Sequence, residues 1–168
     1  MEKVKKNEGG KMESLSAGAD ILQLVTFTLG NEEYAVDILK VQEINRMTEI
    51  AKVPNSPQYV EGVINLRGRV IPVVSLRRRF ALDDKGSDEQ SRIMIMEIQG
   101  ITIGVVVDSV SEVLNIKAGE IEAVPNFGSS LETDYILGMA KTNGGVKILL
   151  DIDKVLSREE ISALDQAA

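Results

Sequence analysis

The sequence predicts an all-β protein with few, short helices, and three observations support this prediction. Short runs rich in Val and Ile alternate with turn residues such as Gly30-Asn31 and Gln99-Gly100. Hydrophobic residues make up 43% of the chain but aromatic residues only 4%, so Val, Ile, Leu and Met must build the core. Three sequence blocks also occur twice in the same order, the middle one being VPN at 53–55 and 124–126. Short strands with regular turns are typical of small barrels or sandwiches.

Four strand pairs follow an N-terminal tail. Residues 1–19 mix Lys, Glu, Gly and Ser without an apolar period, so we expect a flexible tail before a domain that spans 20–168. The predicted pairs, in chain order, are ILQLVTFTLGNEEYAVDI, VEGVINL with RVIPVVSL, SRIMIMEIQGITIGVVVD, and DYILGMAKTNGGVKILLDI. Gly lies at or next to each turn, alone or beside Asn, as hairpins require.

Helical signals are few. A brief helical turn is expected after Asp37, where DILKVQEI places apolar residues three apart, and another at SVSE, where Ser109 and Glu112 fit a capping box. The best helix is the C-terminal segment SREEISALDQ. Its Ser157 and Glu160 form a capping box ahead of an apolar side.

An internal repeat predicts two subdomains of the same topology. Residues 34–44 match 103–113, and residues 62–76 match 138–152. The repeat halves extend over roughly 24–82 and 91–156. Because short strands leave open edges, each subdomain is expected to curl into a five-stranded barrel, with the two barrels packed together.

The composition excludes several classes of function. The chain has no His and no Cys, which removes histidine-based acid–base catalysis, Cys-His nucleophiles, zinc sites and disulfides. It shows no secretory signal and no apolar run long enough to span a bilayer, so we expect a cytoplasmic protein without direct membrane insertion. A net charge of −7 disfavours nucleic acid as a partner. We expect no enzyme activity, no cofactor and no metal.

Two charged clusters have plain structural interpretations. Asp151 and Asp153 lack the Gly and later ligands of a calcium loop, so a helix cap with surface charge is the favoured interpretation. The three arginines at 77–79 could contact phosphate, but only Phe80 accompanies them as an aromatic residue. We interpret them as a solvated strand end or helix end, with a nucleic-acid binder as the rival hypothesis.

Arg67 stands at the tip of a predicted hairpin, in the stretch VEGVINLRGRVIPVVSL. The matching turn of the second half has Asn143 in its place, so the fold itself does not need a guanidinium there. Two alternatives are open: Arg67 pairs with a carboxylate of a partner, or it pairs within the molecule with a residue such as Glu43.

Three stretches, FTLGNEEYAVDILKVQEI, VEGVINLRGRVIPVVSLRRRF and IGVVVDSVSEVLNI, resemble the CheW family of chemotaxis coupling proteins. The family's G-x-x-N-L-R-G signature falls on residues 62–68. The resemblance extends from about Leu24 to the C-terminus. It implies a fold of two SH3-like five-stranded barrels, in agreement with the repeat.

The resemblance also implies a non-enzymatic scaffold that is recruited to membrane receptor arrays. It would join the regulatory domain of the histidine kinase CheA to the cytoplasmic tip of methyl-accepting chemoreceptors. The residues implied in receptor binding are Val41, Glu43, Ile44, Gly62, Arg67 and Val113. A kinase contact is expected in the second subdomain, near Ile148 and Leu149.

Overall fold

The computed structural model describes residues 20–83, 86–124 and 135–167, so the predicted tail at 1–19 lies outside the described residues. Ten strands are present: β1 (Ile21–Leu29), β2 (Glu32–Asp37), β3 (Val41–Arg46), β4 (Val60–Leu66), β5 (Arg69–Ser75), β6 (Arg92–Ile98), β7 (Ile101–Val107), β8 (Ser109–Lys117), β9 (Ile136–Thr142) and β10 (Gly145–Leu150). Two α-helices accompany them in the described ranges, α1 (Leu76–Arg79) and α2 (Arg158–Ala167). Single 3-10 turns occupy Ile38–Lys40, Ala118–Glu120 and Ile152–Lys154. Within these ranges, no helix is long and apolar enough to cross a bilayer.

The predicted hairpins and the C-terminal helix are confirmed. The pairs β1–β2, β4–β5, β6–β7 and β9–β10 are all antiparallel, and each turns at the predicted site. At the start of α2, the Glu160 backbone N–H donates to Ser157 Oγ at 3.0 Å. The Ser157 N–H donates to Glu160 Oε1 at 2.8 Å, which completes the predicted capping box.

Of the two expected helical turns, the one at 37–44 is present only as a short 3-10 turn, and the one at 109–112 is a strand. Asp37 does cap a 3-10 turn, but the chain becomes strand β3 at Val41. Ser109 begins strand β8, and its hydroxyl bonds Thr28 Oγ1 at 2.7 Å instead of capping a helix. Pairing of β3 with β6 and of β8 with β1 satisfies the backbone over these residues, so long-range pairing overrides the local capping signals.

The ten strands form two five-stranded sheets, each with strands from both repeat halves. Sheet I has the order β8-β1-β2-β10-β9, and sheet II has the order β3-β6-β7-β5-β4. Replacing each strand by its repeat equivalent, five numbers higher for the first half and five numbers lower for the second, converts one order into the other. The hairpin β1–β2 therefore sits between strands of the second half, and β6–β7 sits between strands of the first half.

The all-β class and the two five-stranded sheets are confirmed, and the repeat halves 24–82 and 91–156 do not coincide with the sheets. Those ranges describe the sequence repeat, whereas each sheet is completed by the hairpin of the other half. A sequence repeat shows which residues of the two halves are equivalent. It does not show whether a strand pairs with a strand of its own half or with the equivalent strand of the other half. The closure of each sheet into an SH3-like barrel stays a prediction.

Three apolar clusters explain the arrangement. One small cluster lies on sheet I around Leu24 and Leu149, and another lies on sheet II around Val73 and Ile93. The largest cluster contains side chains of both sheets, which places it between them. Its equivalent members on the exchanged hairpins are Val25, Phe27 and Leu29 on β1, and Met94, Met96 and Ile98 on β6. Strands β1 and β6 are thus buried on both faces, which explains their continuous apolar runs.

Carboxylates hold the turns of both exchanged hairpins. The Gly30 N–H of the β1–β2 turn donates to Asp108 Oδ2 at 2.8 Å, and Arg77 pairs with the same carboxylate at 2.8 Å. The Gln99 N–H of the β6–β7 turn donates to Asp153 Oδ1 at 2.9 Å, and Lys40 pairs with Asp153 at 2.6 Å. Each clamp joins residues of the two repeat halves, so each fixes an exchanged hairpin in its sheet.

The exchange predicts that neither half folds alone. A fragment of residues 20–83 lacks the neighbours of β2, β3 and β5, so circular dichroism should show no cooperative unfolding transition. An equimolar mixture with residues 86–168 should recover the transition and migrate as a 1:1 complex in size-exclusion chromatography. Cooperative unfolding of the isolated first fragment as a monomer would contradict the exchanged topology.

Gly62 is predicted to tolerate no side chain. Its φ is +145°, and a Cβ there would collide with the Ala51 carbonyl, which accepts from the Val63 N–H at 2.8 Å. Gly62→Ala should therefore lower the free energy of unfolding by about 3 kcal/mol or more, measured by urea denaturation. Gly100→Ala is the matched control because its φ is +82° but no atom lies within 4 Å, and it should cost about 1 kcal/mol. Equal losses would contradict the steric argument.

Candidate functional site

The candidate site is built on the β4–β5 hairpin, where two residues with positive φ form the turn. Arg67 has φ +53° and Gly68 has φ +88°, and Leu66 pairs with Arg69 on either side of them. Asn65 Oδ1 accepts from the Gly68 N–H at 2.8 Å and stabilises the turn. Asn and Gly prefer this left-handed backbone, and a long side chain does not. The local fold therefore gives no reason for an arginine at position 67.

The Arg67 side chain pairs with Glu43. Its guanidinium donates to both carboxylate oxygens of Glu43, one of them at 3.3 Å. The intramolecular alternative is therefore the arrangement in the free chain. The Arg67 side chain is nevertheless 70% exposed, against 29% for Glu43. The arginine side of the pair is therefore accessible from the solvent.

The ion pair joins the two edge strands of sheet II. Glu43 lies on β3 and Arg67 follows β4, and these strands stand at opposite ends of the sheet order. Their side chains meet only if the sheet curls back on itself, which supports the expected barrel. The equivalent positions of the second half are Glu112 and Asn143, so sheet I has the carboxylate without the arginine.

The ion pair shifts both pKa values in the direction that favours charge. The hydrogen bonds from Arg67 lower the pKa of Glu43. Desolvation is the next effect and opposes them, and the charge of Arg67 and the Asn45 amide add smaller lowering effects. The same contact raises the pKa of Arg67. Both groups are therefore charged throughout the neutral range.

The other predicted receptor-binding residues divide into exposed and structural ones. Ile44 is 40% exposed on β3, and Val113 is 51% exposed on β8. Val41 is half-buried and packs against the cluster between the sheets, and Gly62 is buried beside Ala51. Val41 and Gly62 thus shape the site from within, whereas Ile44 and Val113 present side chains to the outside.

Ile44 and Val113 occupy equivalent positions of the repeat on edge strands of different sheets. Three residues before them, Val41 and Val110 are also equivalent, and both pack against the cluster between the sheets. Strands β3 and β8 therefore both start at the boundary between the sheets. The sequence repeat shows that these residues are equivalent. It does not show that both strands start between the two sheets, because that depends on the exchange of hairpins.

The predicted kinase-contact residues are not exposed. Leu149 is 2% exposed and belongs to the sheet I cluster, and Ile148 packs partly buried against the cluster between the sheets. The exposed apolar side chain of β10 is Val146, at 47%. Its repeat equivalent, Val70 on β5, is 49% exposed. The sequence analysis did not single out either residue, although both occupy the same position of the repeat.

The arginines at 77–79 lie in α1, so the helix-end interpretation is confirmed, but the expectation of solvated side chains is corrected. Arg77 pairs with Asp108, Arg78 with Glu61 at 3.3 Å, and Arg79 with Glu160 at 3.2 Å; the three arginine side chains are 15–33% exposed. All three guanidiniums contact carboxylates of the same chain. The cluster therefore does not form the open cationic surface that a nucleic-acid binder needs.

The carboxylates at 151 and 153 have structural roles. Asp151 caps the 3-10 turn by accepting from the Asp153 N–H at 3.1 Å, as predicted. Asp153 is bound by Lys40 and by the Gln99 N–H. Across the described ranges, no group of three metal-ligating side chains lies close enough to hold a metal ion.

The fold and the site define a protein-interaction module whose accessible groups are edge-strand apolar side chains and an exposed ion pair. The chain belongs to the CheW family, since residues 23–160 match the CheW-like domain. It is 40% identical to the chemotaxis protein CheW of Klebsiella aerogenes over 146 residues, covering 87% of this chain and 88% of that protein. It is 32% identical to the CheW of Thermotoga maritima over 156 residues, covering 90% and 97%.

A solved structure agrees with this assignment. The crystal structure of the scaffolding protein TtCheW from Thermoanaerobacter tengcongensis matches with a TM-score of 0.76 and 35% sequence identity. The match covers 84% of this chain and 96% of that one. This chain is therefore a chemotaxis coupling scaffold, a member of an adaptor family and not of an enzyme family.

The lowered pKa of Glu43 predicts a pH dependence that belongs to the ion pair. A carboxylate with a lowered folded-state pKa stabilises the fold above its unfolded-state pKa, and this contribution is lost as the pH falls through the lowered value. In an NMR titration, the Glu43 side-chain carbonyl carbon should show a midpoint below the ordinary glutamate value. The midpoint should rise in Arg67→Asn. An identical midpoint in both proteins would contradict the role of Arg67.

Proposed function

We propose that this chain couples the cytoplasmic tip of transmembrane chemoreceptors to the regulatory domain of the histidine kinase CheA. Membership of the CheW family supports this role. The observation that carries the receptor part is the exposed Arg67–Glu43 pair, because the arginine occupies a turn whose backbone disfavours it. A residue held against its local preference is evidence for a function beyond the fold.

The receptor surface runs along the boundary between the sheets. A receptor helix would seat its apolar side chains against Ile44 from sheet II and Val113 from sheet I, as helices do in apolar grooves. Arg67 and Glu43 would fix its register through charge-assisted hydrogen bonds. Val41 and Gly62 support this surface from below.

The kinase surface would lie on sheet I, where the second subdomain was expected to make this contact. Val146 of β10 offers an exposed apolar side chain, and Ile148 and Leu149 hold the strand in place from the buried side. Two separate surfaces on one rigid body allow the receptor and the kinase to bind together. A cytoplasmic scaffold of this kind would reach receptor arrays through its partners.

The test uses a receptor cytoplasmic fragment and the kinase regulatory domain, added separately and then together. We expect the folded chain to bind each partner alone and both in one complex. Single-stranded DNA at moderate salt serves as the comparison for the rival hypothesis, and no appreciable binding is expected. Failure of the chain to retain either protein partner would contradict the proposal.

Arg67→Asn separates the function of the arginine from the fold. Asn stands at the equivalent turn of the second half and accepts a left-handed backbone, so the melting temperature should remain equal or rise. Receptor affinity should fall about tenfold through loss of charge-assisted bonds, and kinase affinity should remain unchanged. The matched control is Arg158→Asn, on the exposed start of α2. Unchanged receptor affinity of the folded Arg67→Asn protein would contradict the assignment.

A further inference from the structure

Two arginines stand directly opposite each other on β3 and β6. Arg46 of β3 pairs in register with Arg92 of β6 in the antiparallel ladder. Side chains at such positions have Cβ atoms about 5 Å apart, and like charges placed there destabilise the sheet. Arg46 is exposed and Arg92 is half-buried. The ladder therefore places two like charges at opposing positions of neighbouring strands in sheet II.

Neither arginine is neutralised within the described part of the chain. Four other arginines form ion pairs with carboxylates: Arg67, Arg77, Arg78 and Arg79. Arg46 makes no ion pair with a described residue, and Arg92 donates only to the backbone carbonyls of Glu89 and Ser91, at 2.9 and 2.8 Å. Arg69 and Arg158 likewise make no ion pair with a described residue, but neither of them lies opposite another arginine in a strand ladder.

The geometry suits a carboxylate supplied from outside. The backbone bonds fix the Arg92 side chain with one nitrogen, which leaves its other donors available. Arg46 supplies a second guanidinium from the opposing position of β3, and guanidiniums bind carboxylates with two parallel hydrogen bonds. An incoming carboxylate would also offset the two like charges.

Continuity with the receptor surface identifies the kind of partner. Ile44 and Arg46 are two residues apart on β3, so their side chains project from the same face of the strand, and both are exposed. A helix seated on Ile44 would pass beside Arg46. We propose that Arg46 and Arg92 form a carboxylate-binding pair for an acidic side chain of the receptor's cytoplasmic segment; this inference rests on the proposed receptor surface.

Charge reversal at Arg46 tests the pair. In Arg46→Glu the new carboxylate faces Arg92, so the free protein should melt at an equal or higher temperature. Its affinity for a receptor cytoplasmic fragment, measured by calorimetry, should fall about tenfold or more, and the affinity should depend less on salt than that of the unaltered chain. Arg46→Lys keeps the charge but loses the two parallel hydrogen bonds, so its affinity should lie between those of Arg46→Glu and the unaltered chain.

The matched control is Arg158→Glu, which makes the same change of charge on an exposed side chain of α2. It should change receptor affinity less than twofold. Unaltered affinity in Arg46→Glu, an equal loss in Arg158→Glu, or a lower melting temperature that accompanies the loss would each overturn the carboxylate-binding pair. Binding of single-stranded DNA that Arg46→Glu abolishes would also overturn it, in favour of a phosphate ligand.

The same experiment separates this inference from the proposed function. If the unaltered chain does not bind the receptor fragment, the proposed function fails. If it binds and Arg46→Glu binds equally, only the carboxylate-binding pair fails.

Discussion

The apolar cluster between the two sheets is the contact on which the rest of the structure depends. Its members on β1 and β6 are equivalent residues of the repeat, so two copies of one sequence pattern pack into a single cluster. Because each exchanged hairpin contributes to this cluster and also completes a sheet, neither sheet can form without the other half. Apolar burial is non-directional, and the Asp108 and Asp153 clamps supply the direction by binding the backbone of each hairpin turn.

This constraint determines which residues remain available to partners. The exchange places β1, β2, β6 and β7 inside the sheet orders and leaves β3, β4, β8 and β9 at the edges. Ile44 and Val113 are exposed on edge strands, whereas Val70 and Val146 are exposed on the inner strands β5 and β10. A scaffold needs surfaces that bind partners while its core stays unchanged. Here β1 and β6 are buried on both faces, and these four exposed side chains lie on other strands.

The arginines also divide into those that hold the fold together and those that remain accessible to partners. The arginines of α1 bind carboxylates that tie separate elements of the fold together, with side chains only 15–33% exposed. Arg67 pairs with Glu43 in an exposed position, and Arg46 lies opposite Arg92 with no carboxylate partner among the described residues. In this order, the arginines are progressively less engaged by carboxylates of the same chain and more accessible to a partner. The available members lie on sheet II near Ile44, which is why we place receptor recognition there.

The sequence by itself determined the all-β class, the hairpin turns, the C-terminal capping box, the repeat and the family, because each depends on residues close together in the chain or on motifs read in order. It also singled out Arg67, since the equivalent turn has Asn143. Only the tertiary structure decided that the halves exchange hairpins, that 41–46 and 109–117 are strands, and that Leu149 is core while Val146 is exposed. It likewise decided that Glu43 is the carboxylate bound by Arg67. These facts depend on which distant strands become neighbours, and a repeat with two equivalent copies of every strand leaves that choice to the packing of the whole molecule.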